Sequence, residues 1–293
     1  MEFFPDEPIW LVVSGLLTER IFVPPFVYAL LISLVCTWIG VHLFLRGMAM
    51  AGDAVSHSVL PGMVAAYVLT GATRGIVPFV GAAISGWAAV AVAGRLSRLP
   101  RMRPDSALGA VYGVAFGLGV LGVGLFARHV HLDAECVLNG DLLLVGGERD
   151  WESWLGPAGL VAAAVVMEGF GGARLRLSAF DAGFADAGGV WIRGWNGLVV
   201  GMLSVVAVVG FRAMGIVPVL AMSTIPVAAG WALGGGYRRR MMVALGVSIG
   251  AVVAGFVVAV WLEVPPPPAM GVCALIGLVL SLLIRRGLRG RQR

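Results

Sequence analysis

The sequence predicts an all-α, polytopic membrane protein with eight or nine transmembrane helices, and three observations carry that prediction. The 293 residues are 59% hydrophobic and 13% charged, and their mean hydropathy is +0.94. Apolar runs long enough to cross a bilayer core of about 30 Å recur along the chain. Arginines cluster in the short connections between these runs. A soluble domain of this length does not need so much apolar surface.

Nine candidate spans follow in order, all within a single transmembrane domain, residues 1–293. An eight-span version would fold the stretch Met50 to Met63 differently. A short N-terminal segment, residues 1–24, is expected on the outer side of the membrane, and its acidic start does not resemble a secretory signal peptide. A basic C-terminal tail, residues 285–293, is expected in the cytoplasm. The predicted spans are 26–45, 48–69, 76–96, 106–127, 155–170, 195–211, 216–233, 241–262 and 270–284.

The positions of the arginines predict how the chain is oriented in the membrane. Every basic side chain other than histidine is an arginine, and the arginines concentrate in four regions that alternate with nearly arginine-free connections. Such loops are retained in the cytoplasm. The net charge of +5 is therefore a topology signal, and no nucleic-acid partner is expected. The four regions are 95–103, 174–193, 238–240 and 285–293.

Asp53 and His57 stand out within an apolar span. Their i and i+4 spacing places both side chains on one helix face about one turn apart, and ionisable groups in a span normally face the bundle interior or a water-filled path. A carboxylate with an imidazole suits a borderline divalent ion such as Zn²⁺, Mn²⁺ or Fe²⁺, held weakly and reversibly. The alternative is a purely structural role, in which Asp53 caps the start of a helix and His57 donates a hydrogen bond to a backbone carbonyl.

The outer connection between residues 128 and 152 is the most acidic stretch of the chain. His129, His131, Asp133 and Glu135 alternate there, so on an extended segment they would share one side and could form an outer entry site for metal. The alternative is an ordinary solvated loop.

An enzymatic role is not expected for this polypeptide. Without lysine, the chain has no P-loop lysine and cannot hydrolyse ATP by that route, so any ATP must be handled by a partner chain. The three cysteines have no metal-finger or disulfide spacing. No tightly bound cofactor is expected. The apolar spans are expected to contact membrane lipid.

The stretch RGMAMAGDAVSHSVLPGM, which begins at Arg46, resembles the signature of the ABC-3 family, the permease subunits of bacterial manganese, zinc and iron importers. Three further segments are similar to family segments in the expected order: DAECVLNGDLLLV, AFDAGFADAGGV and MGIVPVLAMSTIPVAAG. Asn139 departs from the family pattern, in which many members carry an aromatic residue there.

The resemblance implies a type II ABC importer permease fold in the bacterial inner (cytoplasmic) membrane. It also implies that Asp53 and His57 line the path of the transported metal. The implied partners are cytoplasmic ABC ATPase subunits, an extracytoplasmic metal-binding protein and a second permease copy, either identical or different. The segment expected to couple the chain to its ATPase contains Phe180, Asp181, Phe184 and Asp186.

Two rival functions remain open from the sequence. An importer of chelated iron would need a wide cavity and no side-chain ligands. A proton-driven secondary carrier would use Asp53 and His57 as a proton relay.

Overall fold

The computed structural model describes residues 23–72, 76–97, 99–126, 142, 151–189 and 191–290. Within these ranges the regular elements are helices, as predicted. We number them in chain order: α1 Val23–Leu45, α2 Ala51–Thr70, α3 Ile76–Leu96, α4 Pro104–Phe126, α5 Trp151–Phe180, α6 Ala182–Ala187, α7 Ile192–Met214, α8 Ile216–Leu233, α9 Tyr237–Leu262 and α10 Pro266–Gly290.

Eight helices of the described part are long and apolar enough to cross a membrane. The ninth long helix, α2, has 20 residues, which at 1.5 Å per residue is also about the thickness of a bilayer core. It falls below the others in hydropathy because Asp53, His57 and two serines interrupt its apolar residues. The helix is continuous through Pro61, so the stretch Met50 to Met63 does not adopt a separate fold.

Two helices extend well beyond the predicted spans. α5 continues to Phe180, whereas the fall in hydropathy placed its end at residue 170. The additional residues lie beyond the apolar run and include arginines. One of these, Arg176, forms an ion pair with Glu168 of the same helix. α10 continues to Gly290, so the first residues of the predicted basic tail are helical.

Two compact units partition the chain. The first comprises residues 1–41, 138–164 and 210–293, and in it α8, α9 and α10 pack against one another. Buried hydroxyls join its helices: Thr37 Oγ1 donates to the carbonyl of Met222 over 3.0 Å, and Ser248 Oγ donates to the carbonyl of Ser33 over 3.3 Å. Such bonds satisfy polar groups that lipid cannot.

The second unit comprises residues 42–137 and 165–209, and in it α2, α3 and α4 pack against one another. Gly62 of α2 faces Gly81 of α3 so closely that a Cβ at Gly81 would lie 2.5 Å from the carbonyl oxygen of Gly62. Small residues permit this approach and are the usual basis of helix association in lipid. The single-domain prediction for residues 1–293 stays a prediction.

Candidate functional site

The helix that carries Asp53 and His57 begins directly after a tight turn. Gly47 has φ of +66°, and the amides of Gly47 and Met48 donate to the carbonyls of Phe44 and Leu43. This pattern is a Schellman motif, which ends α1 through a left-handed glycine. Met50 then occupies the N-cap position of α2 without a side-chain cap. The capping alternative for Asp53 is therefore wrong: Asp53 lies in the first turn, where a carboxylate complements the helix dipole.

Asp53 and His57 share one face of α2, as their spacing predicts. Asp53 Oδ1 lies 3.6 Å from His57 Nε2, and the two side chains are 34% and 42% exposed. The hydroxyls of the neighbouring serines bond to the backbone of their own helix: Ser56 Oγ donates to the carbonyl of Asp53, and Ser58 Oγ donates to the carbonyl of Ala54. The carboxylate and the imidazole are thus the accessible polar groups of this helix face.

Aromatic side chains from α4 hold the imidazole. The His57 ring stacks on Tyr112 with centroids 5.2 Å apart, and its edge meets Phe116 at 5.4 Å. Such ring pairs are worth about 0.5–1.5 kcal/mol beyond their buried area. Tyr112 and Phe116 were not among the sequence-predicted site residues, since nothing in the local pattern of α4 links them to His57.

The geometry of the pair suits a single shared ion. Two ligand atoms bound tetrahedrally at about 2.1 Å from Zn²⁺ lie about 3.4 Å apart, close to the observed 3.6 Å. The described residues hold no group of three or more His, Cys, Asp or Glu side chains that could bind a metal. Water or groups outside those residues would have to complete the coordination, which favours weak and exchangeable binding.

The predicted outer entry site, His129, His131, Asp133 and Glu135, lies outside the described residues. Asn139 lies outside them as well.

A second polar cluster was missed by sequence reasoning. His42, fully buried near the end of α1, has Nε2 3.1 Å from Glu168 Oε2 of α5. The other carboxylate oxygen of Glu168 accepts from Arg176 Nη1 over 2.9 Å. A histidine inside an apolar run was the available signal, because a buried polar group must find a partner.

The predicted coupling segment is a short exposed element between two long helices. Asp181 caps α6, since its Oδ1 accepts from the backbone amide of Phe184 over 2.8 Å. Phe180 and Phe184 are 66% and 65% exposed. Trp191, which sequence reasoning did not single out, is 75% exposed directly before α7. The backbone of Asp186 lies within α6. Three exposed aromatic residues on one short segment form a surface suited to a protein partner.

Comparison with known proteins identifies the family. The model of the "ABC 3 transport family" matches residues 19–285. The chain belongs to this family. It is 33% identical to the manganese transport system membrane protein MntD of Bacillus subtilis over 83% of this chain and 86% of that protein. It is 35% identical to the zinc transport system membrane protein TroD of Treponema pallidum over 68% of this chain and 56% of that protein.

The fold of this ABC 3 family chain also matches a solved structure. PsaBC from Streptococcus pneumoniae, solved in complex with a Fab, aligns over 97% of this chain and 100% of that chain with a TM-score of 0.78 and 22% identity. The predicted fold class is therefore confirmed, and the chain is a multi-pass membrane permease component. Asp53, His57 and the segment around α6 lie within the region that the family model matches.

Proposed function

We propose that this chain is the permease subunit of an ATP-driven importer of divalent transition metal ions, with manganese, zinc or iron as the cargo. The observation that carries the proposal is the pair Asp53 and His57, which presents an oxygen and a nitrogen ligand 3.6 Å apart on an otherwise apolar helix. The names of the manganese and zinc transport relatives support the same class of cargo.

The chemistry of the pair fits passage of an ion better than its storage. The Asp53 carboxylate offsets the charge of a partly dehydrated cation, and the neutral imidazole of His57 adds a borderline ligand that prefers transition metals to Mg²⁺ or Ca²⁺. Two side-chain ligands bind loosely, so the ion can leave again. Tyr112 and Phe116 pack against the imidazole, and contacts of this kind reduce the entropy cost of each binding event.

An importer of this kind needs partner chains, first of all to hydrolyse ATP, because this chain has no P-loop lysine. Cytoplasmic ABC ATPase subunits would bind the exposed segment of Phe180, Phe184 and Trp191 and supply the ATP hydrolysis. An extracytoplasmic metal-binding protein would deliver the ion to the outer face. A second permease copy, identical or different, would complete the path. The assembly would reside in the bacterial inner membrane, with the arginine-bearing loops in the cytoplasm.

Reconstitution tests the proposal directly. The permease and its ATPase are co-purified, placed in proteoliposomes and assayed for uptake of radioactive Mn²⁺, Zn²⁺ and Fe²⁺ with the binding protein outside and ATP at the ATPase side. ATP-dependent uptake of at least one free ion is expected. Uptake that needs a proton gradient and no ATPase would instead establish the secondary carrier, and ATP-dependent uptake of iron chelates without free ions would establish the chelate importer.

A further inference from the structure

Arg46, the last residue before the Schellman glycine of α1, reaches two other helices of its unit. Its Nε donates to Asn196 Oδ1 of α7 over 3.0 Å. Its Nη2 donates to the carbonyl of Leu175 and to Ser178 Oγ, both in α5, over 3.2 and 3.3 Å. Its Nη1 donates to the carbonyl of His42 over 3.0 Å, which fixes the guanidinium to its own helix.

The contacted helices are those on either side of α6. Leu175 and Ser178 belong to the last two turns of α5, which ends at Phe180, and Asn196 belongs to the second turn of α7, which begins at Ile192. The exposed segment around α6 therefore connects the end of α5 to the start of α7, and the Arg46 guanidinium bonds to both of these helix ends. A displacement of α6 that shifts either helix end must move Arg46 or break its hydrogen bonds.

Arg46 is also joined to the helix of Asp53 by a short turn that contains several backbone hydrogen bonds. The amides of Arg46 and Met48 both donate to the carbonyl of Leu43, and the amide of Ala51, the first residue of α2, donates to the carbonyl of Met48. Asp53 lies in the first turn of α2. Because the connection is short and hydrogen-bonded, it couples the end of α1 closely to the start of α2 in the structure.

A neighbouring polar contact adds to the junction between α1 and α5. Glu168 of α5 contacts His42 one turn before Arg46, and it also binds Arg176 further along its own helix. The junction thus has contacts at two levels of α1, at His42 and at Arg46. Contacts at two levels hold α1 and α5 in one relative register.

We propose that Arg46 is the positioning residue that transmits movement of the ATPase-coupling segment to the metal-ligand helix α2. The inference rests on the proposed function and adds to it the route between the two sites. Arg46 contacts neither the ion nor the ATPase in this scheme. Its role is to keep α5, α7 and the start of α2 in one mechanical unit.

Arginine suits this position better than lysine. A guanidinium has five N–H donors in a planar fork and can donate to acceptors on several helices at once. A lysine ammonium is a compact point charge with three donors and cannot span the same acceptors in one geometry. The Arg46→Lys variant should therefore keep the charge and lose most of the hydrogen bonds to α5 and α7.

Four variants in the reconstituted complex test the assignment. Arg46→Gln removes the guanidinium that bonds to α5 and α7, Arg46→Lys keeps its charge, and Asn196→Ala removes the contact to α7 alone. Arg95→Gln is the matched control, because Arg95 is exposed and lines the same cavity of about 590 Å³ as Arg46 and Asn196. The measurements are co-purification of the ATPase, its rate of ATP hydrolysis and the number of ions taken up per ATP hydrolysed.

The expected result is loss of coupling without loss of assembly. Arg46→Gln should hydrolyse ATP while importing at least about tenfold fewer ions per ATP, since one charge-assisted hydrogen bond alone is worth about that factor. Arg46→Lys should restore little, Asn196→Ala should show a smaller defect of the same kind, and Arg95→Gln should match the parent. An equal defect in Arg95→Gln would assign the effect to the charge of the cavity and overturn the proposal.

Other outcomes also decide. Arg46→Gln with the parental number of ions per ATP would overturn the proposal while leaving the importer intact. If Arg46→Gln does not assemble, Asn196→Ala becomes the deciding variant, and parental coupling in it would equally overturn the proposal. A parent complex that imports no ion with ATP would instead refute the proposed function, so the two failures are distinguishable.

Discussion

The metal-ligand role of His57 can be separated from its packing role by one substitution. His57→Phe keeps an aromatic ring against Tyr112 and Phe116, whose centroids lie 5.2 and 5.4 Å from that of the imidazole, but it removes the ligand nitrogen. His57→Ala removes both the ring and the nitrogen. If the imidazole binds the transported ion, both variants should lose uptake, and His57→Phe should retain more of the parental stability.

The magnitudes follow from the geometry. Loss of a residue that merely orients a metal ligand costs 10–100-fold in affinity, so loss of one of two side-chain ligands should cost at least about 100-fold, or roughly 2.7 kcal/mol. Each aromatic pair that the His57 ring forms is worth about 0.5–1.5 kcal/mol. His57→Ala removes this stabilisation, and His57→Phe should keep most of it. Asp53→Asn keeps the shape and removes the charge that faces the ion, so it should also lose most uptake.

The assay combines uptake and stability on the same preparations. Reconstituted complexes of the parent, His57→Phe, His57→Ala and Asp53→Asn are checked for ATPase co-purification and thermal unfolding, then assayed for radioactive Mn²⁺ and Zn²⁺ uptake at subsaturating concentrations. Well-assembled His57→Phe that transports at the parental rate would refute the ligand role, and the ring contacts would then explain why a histidine is tolerated here.

Four further results are expected. Tyr112→Phe should keep parental uptake, whereas Tyr112→Ala should reduce uptake a few-fold in assembled complexes because the imidazole loses its stacked neighbour. Gly81→Ile should destabilise the protein by about 1–3 kcal/mol in thermal unfolding, because its Cβ would meet the carbonyl of the facing glycine in α2; the control Gly113→Ile, with open space around its Cβ, should not. Phe184→Asp should lower ATPase co-purification and metal-stimulated ATP hydrolysis, while Phe184→Tyr should preserve both, since the ring is exposed. A cysteine placed at Ser97 in a cysteine-free background should resist a membrane-impermeant reagent added from outside, and its labelling would contradict the cytoplasmic assignment of the arginine loops.

The helical class and most helix positions were readable from the sequence because the bilayer imposes a local rule. Every backbone polar group in hydrocarbon must be hydrogen-bonded by the protein itself, and a helix does this within one segment, so a long apolar run predicts a helix. α3 and α8 begin and end at the predicted residues. α5 continues ten residues beyond the predicted span, from 170 to Phe180, because hydropathy reports where lipid ends and a helix can continue into the polar region.

The pairing of Asp53 with His57 was equally local. An i, i+4 spacing fixes two side chains on one face whatever surrounds the helix, and the observed 3.6 Å separation follows from it. Phe180 and Phe184 are exposed, and their place in a coupling segment stays a prediction. Trp191 was overlooked because an isolated tryptophan between two helices has no periodic pattern to mark it.

Only the tertiary structure decided which helices meet around these residues. Arg46 bonds to Leu175 and Asn196, 129 and 150 positions away, and His42 contacts Glu168 across 126 positions. In the sequence these were an arginine at the end of a span, a histidine inside a span and an acidic residue in another. Hydropathy cannot pair them, because all apolar helix faces are equivalent in lipid. Helix partners are selected by close contacts such as Gly62 with Gly81 and by polar groups that must find one another, and both conditions exist only after the helices have packed.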